Sequence, residues 1–175
     1  HGIISSHDGA IEVESMPGEG TIFTVYLPTC DDPDICEEED TLDYAAHNEL
    51  ILVVDDEEQV TAATKRMLES LGYRAVTTTR PEEALEILRN TVNETAMVIT
   101  DLTMPQMTGI RLAGKIRETQ TDLPVLLMTG YADKISSKEI AMHGIDGLII
   151  KPMSIHELGK KTKELLQKYK QGKPG

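Results

Sequence analysis

From Glu49 to Lys170 the sequence alternates five times between a short aliphatic or β-branched run and a segment of helical periodicity. The runs fall at 50–54, 74–78, 97–100, 124–128 and 147–150, and each is bounded by turn residues. Short apolar runs flanked in this way read as buried strands. Between them lie helices expected at 57–71, at 81–91 with proline in the first turn, from Ile110 to near Gln120, at 134–143, and after Ser154, which can cap the last one. Such a β-α alternation implies a parallel sheet built through right-handed crossovers. Runs as continuous as LVV, LLM and LII fit a sheet covered on both faces. The expected class is therefore α/β, a doubly wound five-stranded parallel sheet with strand order 2-1-3-4-5, which sets the first and third strands side by side.

That order gives the strand ends a chemical meaning. Asp55 and Asp56 end the first strand, Asp101 ends the third, Thr129 the fourth and Lys151 the fifth, all on the carboxyl edge where open sheets bind ligands. Each residue has a plainer reading when taken alone. The paired aspartates can cap the following helix, Thr129-Gly130 can be a turn, and Lys151-Pro152, a candidate cis peptide, can be a strand exit. Together they are harder to dismiss. Two unit charges ~5 Å apart at an effective dielectric of ~20 repel by roughly 3 kcal/mol. Three converging acids therefore call for a cation, a shared proton or a nearby lysine. Hard oxygens with open positions suit Mg²⁺. A carboxylate nucleophile, a metal, a hydroxyl and a fixed positive charge are the parts needed to accept a phosphoryl group.

ILVVDDEE, VITDLTMP, LLMTGYA and LIIKP, in that order and spacing, resemble the receiver domain of two-component response regulators across about residues 49–170. The resemblance implies that Asp101 is the phosphoacceptor, loaded from a histidine. It also implies that Asp55 and Asp56 bind Mg²⁺ together with Asp101 and the backbone carbonyl of Thr103, and that Thr129 and Lys151 contact phosphoryl oxygens. The family often carries an aromatic rotamer switch three residues before the lysine. Leu148 stands there instead, so a shift of the Thr129 loop is expected to replace the usual threonine–aromatic switch. Tyr131 is the nearest aromatic and is expected to slow hydrolysis of the acyl phosphate.

Upstream the pattern changes. Residues 1–7 can finish a helix, Asp8-Gly9 makes a turn, and alternating segments at 10–14 and 21–27 flank Met16 to Gly20 as a hairpin. HGIISSHDGAIEVES followed by PGEGTIFTVYLP resembles the carboxyl end of the ATP-binding domain of sensor histidine kinases. The family's nucleotide-binding motifs are missing from this sequence, so residues 1–28 are not expected to bind ATP. Residues 29–48 carry eight acids and no lysine or arginine, and read as an extended acidic linker. The tail, 171–175, should fray.

Composition narrows the rest. Hydrophobic residues make up 39% but aromatics only 3%, with no tryptophan, so the core must be aliphatic. A net charge of −13 argues against nucleic acid or an anionic membrane surface as direct partners. Cys30 and Cys36 lack further cysteine or histidine at metal-ligand spacing and read as an incidental pair. No run approaches a membrane span, and with His1 in place of Met the sequence is expected to be a piece of a longer protein. The two resemblances, in this order, imply the cytoplasmic carboxyl end of a hybrid sensor histidine kinase whose upstream segments can anchor it in a membrane. Its receiver would take phosphate from its own or another kinase and pass it to a histidine phosphotransfer protein. Two rivals keep the fold: an unphosphorylated docking or autoinhibitory module, and a flavodoxin-like redox carrier. The second would need a Ser/Thr/Gly phosphate loop where Asp55, Asp56, Glu57 and Glu58 stand.

Overall fold

A computed structural model describes residues 4, 8–18, 20–29, 48–92, 94–130 and 142–171. The chain divides into two compact units, His1–Asp40 and Thr41–Gly175. In the first, β1 (Ala10–Met16) pairs antiparallel with β2 (Gly20–Tyr26), from Ala10 opposite Tyr26 to Met16 opposite Gly20. The turn works because Gly18 and Gly20 take φ of 84° and 110°, which residues with a Cβ rarely adopt. The register puts Ile11 against Val25 and Val13 against Phe23 on one face. Glu12 and Tyr26 lie on the other, where the Tyr26 hydroxyl donates to Glu12 Oε2 at 3.1 Å. Val13, Phe23 and Val25 are exposed.

The second unit holds β3 (Leu50–Val54), α1 (Glu58–Ser70), β4 (Arg74–Thr78), α2 (Pro81–Asn90), β5 (Thr95–Asp101), α3 (Gly109–Thr119), β6 (Val125–Thr129), β7 (Gly147–Ile150) and α4 (Ile155–Gln171). Its five strands are parallel in the order β4-β3-β5-β6-β7, the expected 2-1-3-4-5. Successive strand residues point to opposite faces, so each central strand feeds two cores. Ile51, Val53, Met97, Ile99 and Met128 pack with Leu68 of α1 and Leu158 of α4. Leu52, Val54, Val98 and Leu127 pack with Ala84 and Leu88 of α2 and Leu112 and Ile116 of α3. All five residues of β3 are buried, which explains an uninterrupted apolar run where a one-sided sheet would alternate.

The helix ends follow local chemistry. Pro81 opens α2, the Thr108 side chain accepts from Arg111 N at the start of α3, and a reciprocal box opens α4. There Glu157 N donates to Ser154 Oγ at 3.2 Å while Ser154 N donates to Glu157 Oε2 at 2.9 Å. The backbone and hydroxyl of Ser154 hold the Glu157 carboxyl below its ordinary range.

The buried faces differ in detail from the apolar pattern. On α1, Leu68 and Leu71 are buried, but Val60 and Met67 at matching helical spacing are only partly so, and Thr61 and Thr64 share the buried face. On α4, Leu158, Thr162, Leu165 and Leu166 are buried while Ile155 is exposed. The strand expected at 97–100 runs over Thr95–Asp101, with Asp101 at its carboxyl end as expected. The expected helix at 134–143 falls largely outside the described residues, as do Tyr131, residues 30–47 with Cys30 and Cys36, and residues 172–175. No helix among the described residues is long and apolar enough to cross a membrane.

Candidate functional site

The sheet register builds the site. Val54 pairs with Thr100, so the next residues, Asp55 and Asp101, leave adjacent strands side by side. Thr129 pairs with Ile150, and Lys151 follows at once, its backbone N–H donating to Thr129 O at 2.7 Å. The Lys151–Pro152 peptide is cis. From this position the Lys151 ammonium bridges both acids, donating to Asp55 Oδ2 at 2.5 Å and to Asp101 Oδ1 at 2.6 Å. Segments 96 and 50 residues apart in the chain thus meet at one nitrogen.

The other two carboxylate oxygens are held by backbone amides. Glu57 N, at the amino end of α1, donates to Asp55 Oδ1 at 3.0 Å, and Thr103 N donates to Asp101 Oδ2 at 2.6 Å. Neither amide was signalled by side-chain type, because any residue but proline would supply it. The side chains of Asp55 and Asp101 are only 1% and 10% exposed, so their charges need these partners. Partial burial works to lower the pKa of Lys151, but hydrogen bonds and charge from Asp101 and Asp55 outweigh it and raise the value above the ordinary lysine range.

Of the residues expected at the site, Asp55, Asp101 and Lys151 come together, and Thr129 sits buried beside Lys151 at the end of β6. Asp56 and Thr103 are exposed on the same edge. Among the described residues no group of three acidic, histidine or cysteine side chains is arranged to hold a metal ion. Two carboxylates share one cation, and the third, Asp56, is exposed beside them. Leu148, at the position of the family's aromatic, is half-buried against the core layer of Leu52 and Leu127.

The donor chemistry nevertheless fits Mg²⁺. The ammonium demonstrates that one cation can span Asp55 and Asp101. Mg²⁺ is commonly held by one or two carboxylates with water completing its shell. With Asp56 the edge carries three acids against one lysine, an excess of negative charge that a divalent cation would offset.

Known proteins carry the same arrangement of sequence. Residues 51–163 match the response regulator receiver domain family. The chain is 30% identical over 177 residues to the sensor kinase CckA of Brucella abortus, an alignment covering 96% of this chain and 19% of that protein. It is 28% identical over 172 residues to the sensor protein EvgS of Escherichia coli K12, covering 94% of this chain and 14% of that one. The chain therefore spans less than a fifth of either relative's length. The response regulator TrrA of Thermotoga maritima, solved in complex with Mg²⁺-BeF, superposes with a TM-score of 0.61 at 32% identity, over 67% of this chain and 98% of that one. Fold, register and family match agree, and the chain belongs to the receiver domain family of two-component response regulators.

Proposed function

We propose that this chain accepts a phosphoryl group from a phosphohistidine onto Asp101, as the carboxyl-terminal part of a hybrid sensor histidine kinase working in a phosphorelay. The observation that carries the reading is the single ammonium shared by Asp55 and Asp101 at the carboxyl edge of the sheet. A carboxylate oxygen of Asp101 forms a bond to phosphorus as the donor's P–N bond breaks, and the imidazole nitrogen leaves with the electron pair. The product is an acyl phosphate. Thr103 N and Lys151 fix the Asp101 carboxylate for in-line attack, and the Lys151 ammonium then balances charge on the transferred group. Thr129 is assigned to a second phosphoryl oxygen. Asp55, Asp56, Asp101 and the Thr103 carbonyl would hold Mg²⁺, which when bound neutralises charge on the phosphoryl oxygens.

Residues 1–28 are assigned as the end of a kinase ATP-binding domain, 29–48 as an acidic tether and 49–170 as the cytoplasmic receiver. Support comes from the likeness to CckA and EvgS, which runs through nearly the whole chain. The phosphodonor is a kinase histidine, of the same polypeptide or a separate one, and the acceptor is a histidine phosphotransfer protein. Mass spectrometry after incubation with acetyl phosphate and Mg²⁺ tests the chemistry. Wild type should gain a single adduct of ~80 Da, consistent with one phosphate, and Asp101→Asn should gain none. No adduct on wild type would overturn the reading in favour of an unphosphorylated docking module.

A further inference from the structure

The loop after Asp101 leaves the sheet and returns to almost the same point. Leu102 N donates to Met128 O at 2.9 Å, which continues the β5–β6 ladder. Seven residues later Gly109 N donates to Leu102 O at 3.0 Å and opens α3. A Cβ on Gly109 would stand 2.1 Å from the main-chain oxygen of Asp101, 3.0 Å from its carbonyl carbon and 2.8 Å from Leu127 Cδ1. Gly109 has no positive φ, so the requirement is space and not conformation. Leu127 is a side chain that can swing aside. The Asp101 carbonyl is backbone, tied into the sheet by the pairing of Asp101 with Met128. Any side chain at 109 therefore has to drive the start of α3 away from Asp101, or Asp101 away from the sheet.

From this contact we infer that Gly109 is a positioning residue for the phosphoacceptor, its missing side chain letting the first turn of α3 clamp the loop that aims the Asp101 carboxylate. The inference rests on the assignment of Asp101 as the residue phosphorylated. The 102–108 loop supplies Thr103 N to Asp101 Oδ2, so a displacement at residue 109 is passed to that 2.6 Å bond and to the carboxylate facing Lys151. Gly114, on the same helix, has open space where its Cβ would be, and isolates the effect of position from that of glycine itself.

The test compares wild type, Gly109→Ala, Gly114→Ala and Gly109→Ala/Leu127→Ala. With acetyl phosphate, a carboxylate oxygen of Asp101 bonds to phosphorus as the phosphorus–acetate bond breaks and acetate leaves with the electron pair. The rate is read by mass spectrometry and divided by the folded fraction from far-UV circular dichroism. Gly109→Ala should label about 10²-fold more slowly, the scale of loss for a displacement of about 1 Å at a reacting group. Its Thr103 amide should exchange hydrogen faster in metal-free protein, where phosphorylation plays no part. Gly114→Ala should change neither quantity. The added Leu127→Ala should not restore labelling, because the backbone clash remains. A Gly109→Ala protein that labels like wild type, or one rescued by Leu127→Ala, overturns the inference. So does a Gly109 amide that in wild type exchanges as fast as that of Gln106 in the loop, a measurement that does not require the variant to fold. Failure of wild type to label would instead overturn the assignment of Asp101, and the inference with it.

Discussion

Two clusters at opposite ends of the parallel sheet use the same ingredients, a partly buried cation with carboxylate partners, to different ends. At the amino ends of β6 and β7, Arg117 of α3 donates through Nε and Nη2 to Gly144 O at 3.0 and 2.8 Å, and through Nη1 to Thr121 O and Leu123 O at 2.8 and 2.6 Å. Its Nη2 also pairs with Asp146, whose oxygens accept in addition from Val125 N at 2.8 Å and the Tyr169 hydroxyl at 2.5 Å. Gly144, at φ 70°, leaves room for the Arg117 stem, since a Cβ there would lie 2.5 Å from its Cγ. One positive charge meets one negative charge, and six nitrogen-to-oxygen bonds, one of them from Nη2 to the Tyr169 hydroxyl at 3.3 Å, hold a planar fork. At the carboxyl ends, Lys151 meets two carboxylates with a third acid beside them. The first cluster is electrically closed. The second keeps a surplus negative charge and a compact point charge, which is what reversible cation and phosphoryl chemistry needs. Fold geometry alone does not separate them; charge balance and choice of cation do.

The sharpest way to break that contrast is to remove each cation in turn. Lys151→Met takes away the charge that bridges Asp55 and Asp101, so labelling by acetyl phosphate should fall about 10²–10³-fold, as when one preorganised donor to a developing anion is deleted. The change also leaves Asp55 and Asp101, 1% and 10% exposed, without their counter-charge, so labelling is to be divided by the folded fraction from far-UV circular dichroism. A labelling rate within reach of wild type would place the site's essential charge elsewhere.

Arg117→Met should do the reverse. It strands Asp146, 13% exposed, without its counter-charge, and releases α3 from the starts of β6 and β7. Removing one partner of a buried pair destabilises by about 3–5 kcal/mol, and the residual exposure here puts the expected loss near the lower figure, roughly 3 kcal/mol. Urea unfolding measures it. Arg117→Lys should recover little, since an ammonium cannot reproduce the fork. Labelling per folded molecule should be unchanged; a parallel fall would mean the closed cluster also serves the site.

How much of this was legible in the sequence follows the same division. Asp55, Asp101, Thr129 and Lys151 each interrupt an aliphatic run at its end, so the strand pattern alone brings them to one edge once the order 2-1-3-4-5 is assumed. The family resemblance makes Asp56 the direct Mg²⁺ ligand and Asp55 one that acts largely through water. Backbone geometry separates them, with Asp55 turned to the sheet and Asp56 exposed. Arg117 and Asp146 gave no local signal, because they stand 29 positions apart with a strand between them and an arginine near a helix end is usually solvated. Thr162 is legible, because helical spacing puts it on one face with Leu158, Leu165 and Leu166, and it is buried there; Thr64 is not, because hydrophobicity scales count its hydroxyl against burial.

Alkaline pH separates the clusters further. Burial and its hydrogen bond to Asp146 push Tyr169 up to about 12, and burial with the nearby charge of Glu49 does the same to Tyr73. A group whose pKa is raised by folding gives stability that is complete below its unfolded value and is lost as pH rises through the folded one. Stability to urea should therefore hold up to pH 10.0 and decline from there toward about 12. Lys151, raised above 10.5, adds loss of the same sign. Tyr169→Phe should flatten part of the decline, and Lys151→Met a different part. A variant pair with identical slopes would show that the two ends titrate as one.

The smallest effect concerns polar groups in neither cluster. Thr162 of α4 is fully buried, and its hydroxyl has no hydrogen-bond partner among the described residues; Thr64 Oγ1 of α1 is in the same position. At Arg117 every nitrogen finds an acceptor, so deletion is expensive. At Thr162 the desolvation cost of the hydroxyl is uncompensated, so deletion should help. Thr162→Val keeps the branched shape and removes only the polar atom, and should stabilise by roughly 1 kcal/mol. Thr64→Val should act the same way, and the two should be additive unless the hydroxyls influence each other. A loss of stability in Thr162→Val would mean that the hydroxyl is satisfied in solution. Buried polarity on the α1–α4 side would then follow the rule seen at Arg117, where each group is kept because its partners are complete.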